Sequence, residues 1–162
     1  MKPPLGGESW ARRLRCTATN RVLPLDRPAF LSAAGRPLAV EYELEADWGG
    51  AWRDRLAGRP WDLWRYRELL PVADVAKRVG LGEGGTPLLR IERTAPDGLE
   101  VWLKQEAGNP TGSFKDRGLA LAVSRARELG APGVELPSAG NAGISLAAYA
   151  ARAGLPCRVA LP

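Results

Sequence analysis

The chain has 162 residues, 45% of them hydrophobic and 25% charged, a balance that suits a globular domain with a sizeable core. The net charge is +5, but 19 of the 23 basic residues are arginines scattered from Arg12 to Arg158 and set beside acids, as in Arg53-Asp54-Arg55, so no nucleic-acid-binding face is expected. With no histidine, histidine-based triads and histidine metal sites are excluded; the two cysteines, Cys16 and Cys157, imply no disulfide framework, and no apolar run approaches the length of a membrane span.

Residues 1–13 read as a loose terminus without the continuous apolar stretch of a signal peptide, so the expected location is the cytoplasm. Strand-like pieces follow at 21–25 and 38–44, around the turn Ala34-Gly35-Arg36-Pro37. Together, residues 1–45 form an N-terminal arm with a small β segment. Residues 46–98 read as a helical and loop approach segment. Trp48 with Trp52, and Trp61 with Trp64, are spaced as on helical faces and are expected in the core. From residue 99 the pattern alternates. Residues 99–105 read as a strand. Residues 114–129 read as a helix with Leu119, Ala122, Val123, Ala126 and Leu129 on one face, stopped by Gly130 and Pro132. A strand at 134–137, an alanine-rich helix at 142–153 and a strand at 157–161 complete the chain. This order predicts the start of an α/β domain over 99–162, with parallel strands and right-handed crossovers.

Two loop-to-helix junctions carry the chemistry. In Asn109-Pro110-Thr111-Gly112-Ser113-Phe114-Lys115-Asp116-Arg117-Gly118, turn residues lead into a helix, and Ser113 with Asp116 fits a capping box. Lys115 then falls in the first turn, at the positive end of the helix dipole. That is a poor place for a cation, and a neutral amine is what forms a Schiff base with an aldehyde. Only four lysines occur, Lys2, Lys77, Lys104 and Lys115, and arginine cannot replace one in such a role. The second junction, Ser138-Ala139-Gly140-Asn141-Ala142-Gly143, offers small residues, open backbone N–H groups and the Asn141 amide to an anion. Each junction follows a strand and precedes a helix, which fits one site at the strand ends of an α/β sheet.

These two phrases resemble the lysine loop and asparagine loop of fold-type II pyridoxal-phosphate enzymes, and within that group the threonine synthases. Trp64-Arg65-Tyr66, Leu69-Leu70-Pro71, Leu81-Gly82-Glu83-Gly84-Gly85-Thr86-Pro87-Leu88 and Lys104-Gln105-Glu106 extend the resemblance in order and spacing. It implies part of a three-layer, tryptophan synthase β-like fold. Lys115 would be the catalytic residue and would bind pyridoxal 5′-phosphate together with Asn141 and Phe114. Ser138, Ala139, Gly140, Asn141, Ala142 and Gly143 would hold the carboxylate of an amino-acid substrate, Thr86 would approach its phosphate, and Asp116 would cap the helix. The implied reaction converts O-phospho-L-homoserine and water to L-threonine and phosphate. A serine or threonine dehydratase using the same Lys115 and Asn141 is the alternative enzyme, and a non-catalytic module that kept the fold is the alternative of another class. Relatives often carry a zinc ribbon near the N-terminus; here Cys16 remains but Thr19 stands where a second cysteine would, so a degenerate, metal-free segment is expected. The family's loop for the cofactor phosphate is expected beyond the asparagine loop. The chain is therefore expected to be an N-terminal fragment or half of a split enzyme, inactive alone, with a complementary C-terminal chain as partner and homo-oligomeric when complete.

Overall fold

The computed structural model describes residues 9–44, 51–93 and 96–161. Its first element is a three-stranded antiparallel sheet in which β1 (Ala11–Cys16) lies between β2 (Val22–Pro24) and β3 (Leu38–Tyr42). The stretch expected to be a loose terminus thus supplies part of the central strand, and Trp10 just before it is buried. Arginines hide this strand in the sequence. Arg13 and Arg15 both pair with Glu41 on β3, and Arg12 Nε lies 3.0 Å from Glu43, so the polar positions have cross-strand partners while Ala11 and Cys16 turn inward. At the sheet's end the buried Cys16 Sγ donates to Ser32 Oγ (3.1 Å) and accepts from the Thr19 N–H (3.4 Å). The Arg36 N–H donates to the same Ser32 oxygen (3.3 Å). Among the described residues there is no group of three or more His, Cys, Asp or Glu that could hold a metal ion.

The approach segment contains α1 (Ala51–Leu56) and two short 3-10 turns, Leu63–Leu69 and Val75–Lys77. Asp62 caps the first by accepting from the Arg65 N–H (3.1 Å), which leaves Trp61 ahead of the helix. Trp61 is therefore 71% exposed, with the Arg65 guanidinium 4.1 Å from its ring centroid, and it is not the core residue its spacing predicts. Trp64 is half-buried and donates through Nε1 to the Val79 carbonyl (3.2 Å). Trp48 and the Trp52 side chain lie outside the described residues.

The strand expected at 99–105 is β5 (Val101–Lys104), and it does not join a parallel sheet. It pairs antiparallel with β4 (Leu88–Ile91), a strand the sequence reading passed over. Its residues lack hydrophobic alternation because Leu88 and Leu89 are both exposed on the hairpin. The chain then forms α2 (Lys115–Glu128), β6 (Val134–Pro137), α3 (Asn141–Ala153) and β7 (Cys157–Ala160). Among the described residues only β6 and β7 are parallel partners, in register from Val134–Cys157 to Pro137–Ala160. The predicted run of three parallel strands is reduced to this βαβ unit, and the whole is α/β with mixed sheets. Among the described residues no helix is long and apolar enough to cross a membrane.

The core joins Val79, Ala120, Val123, Leu146 and Tyr149, with Leu119, Leu136 and Leu155 packed against it. The buried face of α2 is Asp116, Ala120, Val123 and Ser124, rotated from the expected apolar stripe, so that Ala122 is exposed. Two polar residues on the inward face account for the error. Ser124 is satisfied inside the core: its hydroxyl donates to the Ala120 carbonyl (2.7 Å) and accepts from the Val79 N–H (2.8 Å). The other end of α2 is tied to the rest of the chain. Arg125 donates to the Leu25 carbonyl, and Glu128 accepts from the Ala73 and Asp74 N–H groups (2.7 Å each).

The glycine-rich loop crosses the approach segment at close range. The Leu63 N–H donates to the Glu83 carbonyl (2.7 Å), and Gly85 has φ +57°, with space for a Cβ blocked 2.1 Å from the Trp61 carbonyl oxygen. Gly85→Ala is expected to destabilise the chain by about 3 kcal/mol, because both backbone strain and a main-chain clash must be relieved. Gly58→Ala, at φ +77° with no atom within 4 Å, should cost only about 1 kcal/mol from strain alone. Thermal or urea unfolding of the two variants checks the difference.

Candidate functional site

Lys115 is the first residue of α2, as the sequence predicts, but the helix start is built differently from a capping box. Ser113 Oγ accepts from the Lys115 N–H (3.3 Å), while Asp116 turns inward. Its fully buried carboxylate accepts from the Thr111 N–H (2.7 Å), the Thr111 hydroxyl and the Ser145 hydroxyl (2.6 Å). Lys115 itself is half-buried, with Nζ 4.6 Å from the ring centroid of the exposed Phe114.

The second junction begins α3. The Ser138 hydroxyl accepts from the N–H groups of Gly140 (3.2 Å) and Gly143 (3.1 Å), so it closes the turn itself. Gly143 is buried where an added Cβ would lie 2.8 Å from Val159 Cγ1, which holds this helix start close against β7. Ala139, Gly140 and Asn141 are exposed, and Ala142 is half-buried. Among the described residues, the Asn141 amide side chain and the Asn141 and Ala142 backbone N–H groups make no hydrogen bond. They are the open donors of a helix N-terminus.

The two junctions are brought together by the packing of the helices. Asp116 on the first turn of α2 reaches Ser145 on the second turn of α3. The shared core then runs on through Ala120 and Val123 of one helix and Leu146 and Tyr149 of the other. The helices therefore run side by side in the same direction, and Lys115 and Asn141 start them at the same end. Thr86 is placed elsewhere. Its hydroxyl donates to Glu106 (2.7 Å) and accepts from Arg117 (3.1 Å). Arg117 leaves the first turn of α2 about 200° round the helix from Lys115, and its guanidinium meets Thr86. There it borders a cleft of about 570 Å³ with Trp61, Tyr66, Lys104, Glu106 and Arg117.

Sequence reasoning missed the polar scaffold behind these residues. Glu83 is fully buried between glycines and accepts from the Tyr149 hydroxyl (2.8 Å) and the Leu81 N–H (2.9 Å). Burial, and then the Glu83 carboxylate, push the Tyr149 phenol well above its ordinary range. Asn109 joins the glycine-rich loop to the lysine loop: Oδ1 accepts from the Gly84 N–H (3.1 Å), and Nδ2 donates to the Glu106 carbonyl (2.8 Å) and carboxylate (2.9 Å). Arg117 forks onto Glu106 at 2.7 and 2.8 Å. The available signal was the presence of polar residues among the core-facing positions: Glu83 between glycines, Asp116 and Ser124 on α2, Ser145 and Tyr149 on α3.

Residues 79–162 match the model of the pyridoxal-phosphate dependent enzyme family, so the chain belongs to that family. It is 42% identical over 150 residues to the threonine synthase of Methanocaldococcus jannaschii, an alignment that covers 91% of this chain and 37% of that protein. It is 46% identical over 101 residues to the threonine synthase of Halalkalibacterium halodurans (62% of this chain, 28% of that protein). With the threonine synthase of Mycobacterium leprae it shares 48% over 107 residues (64% and 30%). The chain thus spans about a third of the length of the curated relatives it matches. The residues present fit pyridoxal phosphate, the group that defines the family. One half-buried lysine at a helix start lies at the same end of the fold as an exposed amide and open N–H donors, which is the donor set an aldehyde with hydrogen-bonding ring substituents requires.

Glu106 gives the scaffold a pH signature. Hydrogen bonds from Arg117, then from Thr86 and Asn109, hold its carboxyl down to about 2 from 4.5. Because the folded form binds the proton more weakly than the unfolded chain, Glu106 stabilises the fold above about pH 4.5. That contribution fades as pH falls toward about 2. For a carboxylate one-quarter exposed, solvent screening leaves a contribution on the order of 1–2 kcal/mol. Glu106→Gln should therefore lower the unfolding midpoint at neutral pH and flatten its fall on acidification, measured by circular dichroism melts across that window.

Proposed function

We propose that this chain supplies the lysine and asparagine loops of a threonine synthase-like enzyme of fold type II, which converts O-phospho-L-homoserine and water to L-threonine and phosphate. The observation that carries the reading is the Asp116–Ser145 hydrogen bond, which joins the helix starting at Lys115 to the helix starting at Asn141. The likeness to three threonine synthases, one of them over 91% of this chain, supports the choice of reaction.

Lys115 and Asn141 hold the cofactor in this reading, with Phe114 beside them. When bound, pyridoxal phosphate supplies an electron sink that stabilises negative charge on carbons next to the substrate amine. The chain's own residues do the rest. Lys115 Nζ accepts and returns protons at the substrate carbons. The Asn141 side chain orients the cofactor by hydrogen-bonding its ring hydroxyl oxygen. The open N–H groups of Asn141 and Ala142, in the turn that Ser138, Ala139, Gly140 and Gly143 shape, take the substrate carboxylate and fix which face is presented to Lys115. Thr86, held by Glu106 and Arg117 at the rim of its cleft, approaches the substrate phosphate in this reading.

The N-terminal sheet fits the descent of a zinc ribbon that has lost its metal, with the Cys16–Ser32 contact joining its two turns. The exposed Leu88, Leu89, Trp102 and Leu103 on the β4–β5 hairpin suit burial by the part of such an enzyme that the alignments with its relatives leave outside this chain.

Borohydride reduction of the chain incubated with pyridoxal phosphate is expected to attach the cofactor to Lys115, located by peptide mapping. Lys115→Ala should abolish that conjugate, and attachment mainly at Lys2, Lys77 or Lys104 would refute the assignment. An assembly that includes the rest of the enzyme should release phosphate from O-phosphohomoserine in a Lys115-dependent way. Keto-acid formation from serine or threonine without phosphate release would favour the dehydratase.

A further inference from the structure

Asp116 is an unusual neighbour for a reactive lysine. It is fully buried, forms no ion pair among the described residues, and is satisfied by hydroxyl and amide donors alone. A buried carboxylate with neutral partners is a weak source of stability, because desolvation offsets what its hydrogen bonds return. Its value lies in what the donors belong to. Thr111 is in the loop that leads into Lys115, and it is bound through both its N–H and its hydroxyl. Ser145 is on α3, four residues after Asn141 and so on the same face one turn further on.

One carboxylate therefore fixes the loop before Lys115 and the height of α3 against α2. The apolar contacts around it, through Ala120, Val123 and Leu146, carry no directional bond of their own. The next polar tie, Tyr149 to Glu83, lies one turn farther down α3 and anchors it to another loop. Nothing else described pins the two helix starts to each other by a directional bond.

We propose that Asp116, acting through Ser145, is a positioning residue that sets the register between Lys115 and Asn141 and so aligns the lysine amine with the carbonyl carbon of the bound cofactor. The inference rests on the functional reading above and adds a role for residues which that reading leaves aside. Misplacement of reacting groups by about 1 Å costs up to about a hundredfold in rate, so loss of this bond is felt at the lysine more than in the fold.

The test compares two buried serines in the 162-residue chain. Ser145→Ala removes the tie to α3. Ser124→Ala removes a hydroxyl equally buried in the helix interface but bonded to Ala120 and Val79, away from the site. Melting temperature without cofactor, affinity for pyridoxal phosphate by absorbance, and the rate of borohydride trapping at Lys115 are measured for both. The expected result is a similar small drop in melting temperature for the two variants, with trapping slowed about tenfold in Ser145→Ala alone. Thr111→Val should slow trapping as well, and Thr111→Ser, which keeps the hydroxyl, should restore it. Equal trapping in Ser145→Ala and Ser124→Ala, or slowing in proportion to lost stability, would overturn the positioning role while leaving Lys115 as the site. A wild-type chain that yields no Lys115 conjugate would overturn the functional reading and this inference with it.

Discussion

The structure depends on a polar seam between two parallel helices. Apolar contacts bring α2 and α3 together, but the bonds with direction are Asp116 to Ser145, Ser124 to Val79 and Tyr149 to Glu83. Each leaves a helix face that would otherwise read as core and ends on a loop or on the other helix. Such a seam is costly if half-made, since every lost partner strands a buried polar group. The same cost makes it specific. A shifted pairing of the helices would break the Asp116–Ser145 bond, the one of the three that joins them directly, and so move the two helix starts out of register.

The seam also explains why three separated phrases act as a unit. Glu83 in the glycine-rich loop binds α3 through Tyr149, while Gly84 of that loop binds Asn109 of the lysine loop. Asn109 binds Glu106, which binds Arg117 on α2. The path closes at Asp116, next in sequence to Arg117, which returns to α3. A ring of hydrogen bonds thus runs from loop to helix to helix and back. Its members are buried or half-buried and bonded to one another, which restrains the segments that carry Lys115 and Asn141.

Much of this was legible in the sequence where structure is local. Both long helices, the strands at 134–137 and 157–161, and the two loop-to-helix junctions follow from hydrophobic period, glycine stops and turn residues. What failed was non-local. β1 was hidden because its arginines pair with glutamates 26 to 31 residues away. β5 pairs with β4 rather than with the parallel sheet because a hairpin partner lies nearer along the chain. The buried face of α2 was misjudged because Asp116 and Ser124 are counted as outward residues by any hydropathy pattern, while their partners on α3 and before α2 decide otherwise. Trp61 shows the reverse: an aromatic residue spaced for the core is left outside by the cap at Asp62.

The ten residues from Asn109 to Gly118 show why a short phrase can be so specific. Asn109, Ser113 and Asp116 are buried, and each is bonded to backbone or to a distant side chain. Arg117 is drawn to Glu106 and Thr86 on the far side of the helix. Lys115 and Phe114 are left facing outward together. Most of the phrase therefore encodes the geometry of one helix start, and one residue in ten is the lysine proposed to react. Chemistry alone would require only a lysine; holding that lysine at a fixed distance from a second helix start requires the rest. A substitution at Asn109 or Asp116 removes bonds that no neighbouring side chain among the described residues duplicates, so the phrase tolerates less change than the proposed reactive lysine alone would demand.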